Sequence, residues 1–255
     1  MIRLKTKSDI EKLRLGGHVL SWVLSEVAKE VKPGASTEKL TQLAENLIKQ
    51  KGGRPSFKGY KAAWADSVYP SALCVSINEE VVHGLPVPNR IIKEGDIVGI
   101  DCGLEYQGLF TDMARTIIVG RAKEGLSKLV SVTYESLMKG IKQIKPGRHI
   151  SDISKAIEEH VEKNGFSVVR QLVGHGVGYS AHEDPQIPNF FDRSVPDIEL
   201  KEGMVLAIEP MVNVGGWEVD SLEDGWTIVT HDKSISAHFE HTIVVTDKGY
   251  EIITK

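Results

Sequence analysis

The residues best suited to chemistry are four acids and three histidines spread along the chain. Asp101 and Asp112 sit in one stretch, IVGIDCGLEYQGLFTDMARTIIV (residues 97–119), where two β-rich runs flank a Gly-containing connection. Each run carries one aspartate, which predicts an antiparallel hairpin with two acids at its neck. A carboxylate among Val, Ile and Thr is costly to bury unless a cation or a donor meets it. Two that approach each other therefore call for shared positive charge, and a metal ion or a pair of ions is the simplest source. On this stretch alone, two acids facing solvent beside a turn is an equal alternative. Glu209 and Glu240 end or begin similar apolar runs further on, His175 lies in GHGVG, His182 opens HEDP, and His83 ends VVHG. The glycines around His175 allow close backbone approach to a ligand, although a lone His between glycines is more often a turn residue. As a phosphate loop the stretch is weak, lacking a following lysine and a helix start.

Four carboxylates and one imidazole form an oxygen-rich, mixed set that suits a pair of Mn, Fe, Co or Zn ions better than a single structural zinc. Bridging carboxylates hold two such ions about 3.5 to 4 Å apart, and a water between them loses a proton near neutral pH. The chemistry that follows is hydrolysis.

These residues must be brought together by elements far apart in sequence. Ser8 and Glu11 have capping-box spacing, and Ile10, Leu13, Val19, Leu20, Val23 and Val27 recur at helical intervals until Pro33 and Gly34. A second helix carries Leu40, Leu43, Leu47 and Ile48 and ends at Gly52. Strands follow, with Asn78 and Glu79 at a turn between short runs, and then the order restarts. Helical patterns over 127–144 and 151–163 are separated by Lys145-Pro146-Gly147, as Lys32-Pro33-Gly34 separates the first pair. In both copies the break glycine and the closing glycine are 18 residues apart, 34 to 52 and 147 to 165. IKEGDIVGID (92–101) matches LKEGMVLAIE (200–209), and Thr116-Ile117-Ile118-Val119 matches Thr242-Ile243-Val244-Val245. The chain reads as a duplicated helix-helix-strands unit, a single domain over 1–255 with internal halves at about 8–120 and 127–250. A pseudo-twofold between two α+β halves would gather Asp101, Asp112, Glu209 and Glu240 around one point.

At 255 residues, 41% hydrophobic and 26% charged, the chain has the composition of a soluble enzyme with a sizeable core. A net charge of -4 with scattered Lys and Arg argues against dedicated nucleic-acid binding and gives no attraction to anionic membranes. No apolar run approaches a transmembrane helix or a signal sequence. The two cysteines, Cys74 and Cys102, lie in apolar runs, which excludes a disulfide framework and favours the cytoplasm.

The order Asp101, Asp112, His175, Glu209, Glu240, set in NEEVVHG, GHGVG, HEDP, AIEP and EHTIVVT, resembles the type I methionine aminopeptidases over nearly the whole chain. The resemblance implies the α+β pita-bread fold, two pseudo-twofold-related α/β halves around a central antiparallel sheet. It implies two divalent ions, bridged by Asp112 and Glu240, with Asp101 on the second and His175 and Glu209 on the first. It further implies that His83 contacts the substrate amide, that His182 stabilises the tetrahedral intermediate and that Glu209 shuttles a proton. The methionine pocket would comprise Phe57, Tyr60, Tyr69, Cys74 and Trp226. The implied activity is removal of N-terminal methionine from nascent polypeptides with a small second residue, by a monomer acting near the ribosome. Rival readings are an Xaa-Pro aminopeptidase-like hydrolase, whose likeness covers only the C-terminal half of a longer chain, and a non-catalytic binding protein, which would have lost ligands. Two departures touch the pocket walls: an insertion of about six residues within 61–68, and Ala181 where the family commonly has phenylalanine. Trp64, in the insertion, either fills the space left at Ala181 or only anchors the loop to the surface.

Overall fold

The computed structural model describes residues 2–121 and 124–255. Helix α1 (Lys7–Glu30) buries Leu13, Leu20, Val23, Leu24 and Val27, and α2 (Thr37–Gln50) follows it. The cap of α1 lies two residues earlier than expected. Asp9 N donates to Thr6 Oγ1 (3.2 Å) and Thr6 N donates to Asp9 Oδ2 (3.0 Å), the reciprocal pattern assigned above to Ser8 and Glu11. Strands β1 (Arg54–Pro55), β2 (Cys74–Ile77), β3 (Glu80–Val82), β4 (Ile97–Tyr106) and β5 (Leu109–Ile118) complete this part of the chain.

A second helix pair, α3 (Leu126–Ile141) and α4 (Ile150–Lys163), precedes the remaining strands. These are β6 (Ser167–Val168), β7 (Gly174–Gly176), β8 (Glu183–Ile187), β9 (Val205–Ile208) and β10 (Met211–Asn213). After them come β11 (Val219–Ser221), β12 (Ile228–Thr230), β13 (Ser236–His238), β14 (Glu240–Val245) and β15 (Tyr250–Ile252). The main sheet runs β1-β4-β5-β14-β9-β7-β8, with β2 added on β4 and β15 on β14. One core joins Leu20, Leu24, Leu40 and Ile48 of the first helix pair to Val98, Ile100 and Leu104 of β4. A separate core joins Leu137, Ile153 and Ile157 of the second pair to Leu206, Ile208 and Ile243 of β9 and β14. Among the described residues no helix is long and apolar enough to cross a membrane.

Corresponding links recur in the two parts. Gly34 N donates to Ile92 O (2.8 Å) and Gly147 N to Leu200 O (3.1 Å), while Gly95 N donates to Val119 O (2.8 Å) and Gly203 N to Val245 O (2.9 Å). These four glycines have φ of 85°, 81°, 84° and 86°, a left-handed backbone that suits glycine.

The β4–β5 hairpin pairs residue by residue from Ile97 opposite Ile118 to Tyr106 opposite Leu109. It closes through Gln107 and Gly108, whose φ of 52° and 79° fit a two-residue hairpin turn. The register corrects one expectation: Asp101 lies opposite Ala114 and Asp112 opposite Gly103, so the acids are diagonal neighbours in mid-hairpin, away from the neck. Gly103 is a strand glycine where a side chain would run into Ser56 and Phe57.

The two parts of the main sheet meet at β5 and β14, where Ala114 lies opposite Glu240 and Met113 opposite His241. Just beyond these pairs two threonines replace the ladder. Thr242 Oγ1 donates to Asp112 O (2.8 Å) and accepts from Asp112 N (2.9 Å). Thr116 Oγ1 donates to His238 O (2.7 Å) and accepts from His238 N (2.9 Å). Thr242→Val keeps the shape of the side chain but strands the buried amide of Asp112. It is expected to lower stability by about 2 kcal/mol and the thermal midpoint by several degrees, with Thr242→Ser close to the parent. An unchanged midpoint for the valine variant would show that the clamp carries no weight.

Candidate metal centre and substrate cavity

The seam brings acids from both parts of the sheet to one place. Asp101 comes from β4, Asp112 from β5, Glu240 from the first residue of β14, and Glu209 directly follows β9. His175 is the middle residue of β7, which passes so close to its neighbours that side chains at Gly174 and Gly176 would meet the backbone oxygens of Ala207 and Asp184. Its Nδ1 donates to Gly176 O (2.9 Å), because a carbonyl can only accept, and this leaves Nε2 as the lone-pair nitrogen facing the acids. Donor atoms of Asp112, His175 and Glu240 all lie within 4.8 Å of one another. His175 Nε2 is 3.4 Å from Glu209 Oε1.

Burial sets the electrostatics. Desolvation raises Asp101 to about 7 and Glu209 to about 8. Asp112 and Glu240 are pushed well above the usual carboxylate range, first by burial and then by the charges of the acids around them. Burial moves the imidazoles the other way, His83 to about 3, His175 to about 4 and His182 to about 3. Asp101 Oδ1 and Glu240 Oε1 are buried without a hydrogen-bond partner among the described residues. Clustered carboxylates, orphaned oxygens and an oriented imidazole together fit a divalent cation, which supplies the missing positive charge and occupies the free lone pairs.

All the residues singled out in the sequence meet in a cavity of about 300 Å³. The acids, His175, His182 and His83 line it together with Phe57, Tyr60, Tyr69, Cys74 and Trp226. Tyr69 packs edge-on against Phe57 and Trp226, and its hydroxyl donates to Gly84 O (3.1 Å), next to His83. His182 packs against His175 (ring centroids 4.2 Å) and Tyr60 (4.9 Å). Trp64 does lie over the cavity, but its ring contacts are His83 (5.8 Å) and Trp226 (5.1 Å). The aromatic ring on the His182 side, next to the buried Ala181, is Tyr60.

His238 went unnoticed in the sequence. It is buried, its Nε2 lies 3.6 Å from Glu209 Oε2, and that nitrogen has no hydrogen-bond partner among the described residues. Its spacing of two from Glu240 in HFE, the period of a strand face, was the available signal. Within HEDP, Glu183 serves structure instead of chemistry, pairing with Lys5 and with Arg3 (3.0 Å) of the N-terminal segment.

Residues 11–247 match metallopeptidase family M24. The chain belongs to that family. Methionine aminopeptidase 1 of Bacillus subtilis is 47% identical over 255 residues, all of both chains. The methionine aminopeptidase of Aquifex aeolicus is 44% identical over 259 residues, covering all of this chain and 99% of that one. The crystal structure of a methionine aminopeptidase from Thermotoga maritima aligns over all of both chains with a TM-score of 0.95 at 50% identity. A prolidase from Pyrococcus furiosus, 23% identical, shares the fold alone, with a TM-score of 0.77 over 99% of this chain and 65% of that one. The architecture is the pita-bread fold, as the sequence led us to expect.

As a member of metallopeptidase family M24 the chain binds divalent metal, and the metal-free protein should report the electrostatics of the acid cluster through pH. Unfolded carboxylates titrate near 4 and unfolded histidine near 6.5, as approximate values. Between pH 6.5 and 8 the unfolded chain has therefore lost the protons that Asp101 and Glu209 still hold when folded, so stability falls as pH rises. The lowered histidines act below this window, in the opposite sense. The thermal midpoint of chelated protein is expected to drop from pH 6.5 to 8, and divalent metal to stabilise more at pH 8. A chelated midpoint that climbs across the window would contradict the burial of these acids as protonated groups.

Proposed function

We propose that the chain is a divalent-metal-dependent aminopeptidase that removes methionine from the N-terminus of nascent polypeptides whose second residue is small. The observation that carries this reading is the juxtaposition of an acid and histidine cluster with an aromatic cavity sized for one side chain. A free α-amine docked at the cluster places the first carbonyl beside it, so cleavage occurs one residue from the end. Phe57, Tyr60, Tyr69 and Trp226 offer ring faces and edges to a thioether, a favourable contact for sulfur, and buried Cys74 completes the wall.

Asp101, Asp112, His175, Glu209 and Glu240 would together hold two divalent ions. The ions, of Co, Mn, Fe or Zn, supply Lewis acidity and lower the pKa of a bound water when present. Glu209 takes a proton at a carboxylate oxygen and delivers it to the leaving amide nitrogen. His182, kept neutral by burial, donates one N–H to the oxygen that gains charge as the carbonyl is attacked. His83, also neutral, contacts the amide on the far side of the scissile bond. His238 faces the Glu209 carboxylate at 3.6 Å. One chain carries the whole site, so a monomer suffices. A nascent-chain substrate puts the work in the cytoplasm near the ribosome, in keeping with two free, buried cysteines. We also take the chain as one domain over 1–255 made by duplication, with halves at about 8–120 and 127–250, a reading supported by the matched glycine links and the paired threonine clamps.

Methionine release from a Met-Ala-Ser peptide should vanish with chelator and return with a divalent transition ion. His175→Ala should lose metal, whereas His182→Ala should keep its metal and lose at least about tenfold in kcat. Equal depletion of metal in the two variants would refute this division of roles.

A further inference from the structure

The insertion at 61–68, KAAWADSV, carries one large aromatic, and the loop around it is built to hold that ring in one place. Gly59 N donates to Tyr69 O and Tyr69 N donates to Tyr60 O, both at 2.8 Å, so the loop closes at its own base. Ala62 and Ala65 are buried against the cluster of Phe57, Tyr69, Cys74 and Trp226. On the far side Trp226 Nε1 donates to Ser67 Oγ (3.2 Å). Small buried residues and a tied serine thus flank Trp64 and carry its indole over the cavity.

There the indole stacks on His83 with 23° between planes and meets Trp226 at 63°. Although two rings hold it, Trp64 is 56% exposed. A side chain serving only as an anchor buries most of its surface, whereas this one presents an open face at a functional site. That face borders two spaces. One is the cavity of about 300 Å³ whose lining includes Tyr69 and Trp226, and the other is a groove of about 430 Å³ lined by Gln171, Leu172 and Met211. Trp64, Val82, His83, His175, His182 and Glu209 border both. A peptide with its first side chain in the cavity and its following residues in the groove crosses this shared rim, where the exposed indole of Trp64 stands beside His83.

We propose that Trp64 is a specificity-determining residue, closing the space above His83 and so limiting the size of the second residue of the substrate. This rests on the aminopeptidase reading above. An indole presents roughly 150 to 250 Å² of rigid surface, enough to collide with a branched or long side chain while leaving alanine untouched. Trp64→Ala removes that wall, and Trp64→Phe leaves a smaller ring on His83.

The test measures kcat/KM for Met-Ala-Ser and Met-Leu-Ser with metal-loaded parent, Trp64→Ala and Trp64→Phe. The expected result is that the preference for Ala over Leu falls at least about tenfold in Trp64→Ala, with a smaller fall in Trp64→Phe, within the range that single pocket contacts discriminate. A tryptophan that only anchors the loop lowers both rates by a common factor and leaves the ratio at the parent value, which overturns the inference. If the alanine variant does not fold, the phenylalanine variant decides, and an unchanged ratio there overturns it equally. A parent that releases no methionine from either peptide overturns the aminopeptidase reading itself, a failure distinct from an unchanged ratio.

Discussion

Four carboxylates buried within reach of one another are the constraint around which this molecule is arranged. In isolation they repel, and each resists burial as an anion. The fold tolerates them because they are spread over four elements, β4, β5, the end of β9 and the start of β14, each held by its own ladder. No local sequence segment supplies more than two of them. The seam between β5 and β14 is therefore both the structural joint of the sheet and the floor of the site, and a cation placed there is at once ligand and structural link.

The seam has a particular construction. Ala114 opposite Glu240 and Met113 opposite His241 set the register, and continuing it puts Asp112 opposite Thr242 and Thr116 opposite His238. At both continuations the backbone of one strand is satisfied by a threonine hydroxyl, which donates and accepts in turn. The ladder between β5 and β14 thus ends where the threonines take over, beside the carboxylates of Asp112 and Glu240.

Much of this was legible in the sequence for identifiable reasons. Long amphipathic helices announced themselves by period, and the duplicated Lys-Pro-Gly breaks and closing glycines mark backbone with positive φ that few other residues accept. The four acids stood out because carboxylates in β-rich runs are costly to bury without a partner, and His175 because glycines flank it. What escaped depends on register or on contacts remote in sequence. The connection of the hairpin looked longer than it is: Gly103 is a strand position where Ser56 and Phe57, just after β1, leave no room for a side chain, and the turn is only Gln107-Gly108, which puts the acids in mid-hairpin. The cap of α1 moved from Ser8 to Thr6 because two candidate boxes overlap and only the chain entering from Lys5, bonded to Gly203 O, chooses between them. His238 was missed because it ends β13 and meets Glu209, 29 residues away, only through the pairing of β5, β14 and β9.

The position of Trp64 shows the same limit from the opposite direction. Composition singled out the residue, and the short insertion made contact with the site plausible, yet nothing local decides which wall it joins. That choice follows from the neck at Tyr69, whose ring is locked between Phe57 and Trp226 and whose hydroxyl reaches Gly84. Because the neck is fixed on the Trp226 side, a loop this short delivers its apex to His83, and the His182 side is left to Tyr60 on the other strand of the neck. The insertion thus adds a ring to the junction between cavity and groove, while the histidines and acids below it keep the arrangement that the seam sets.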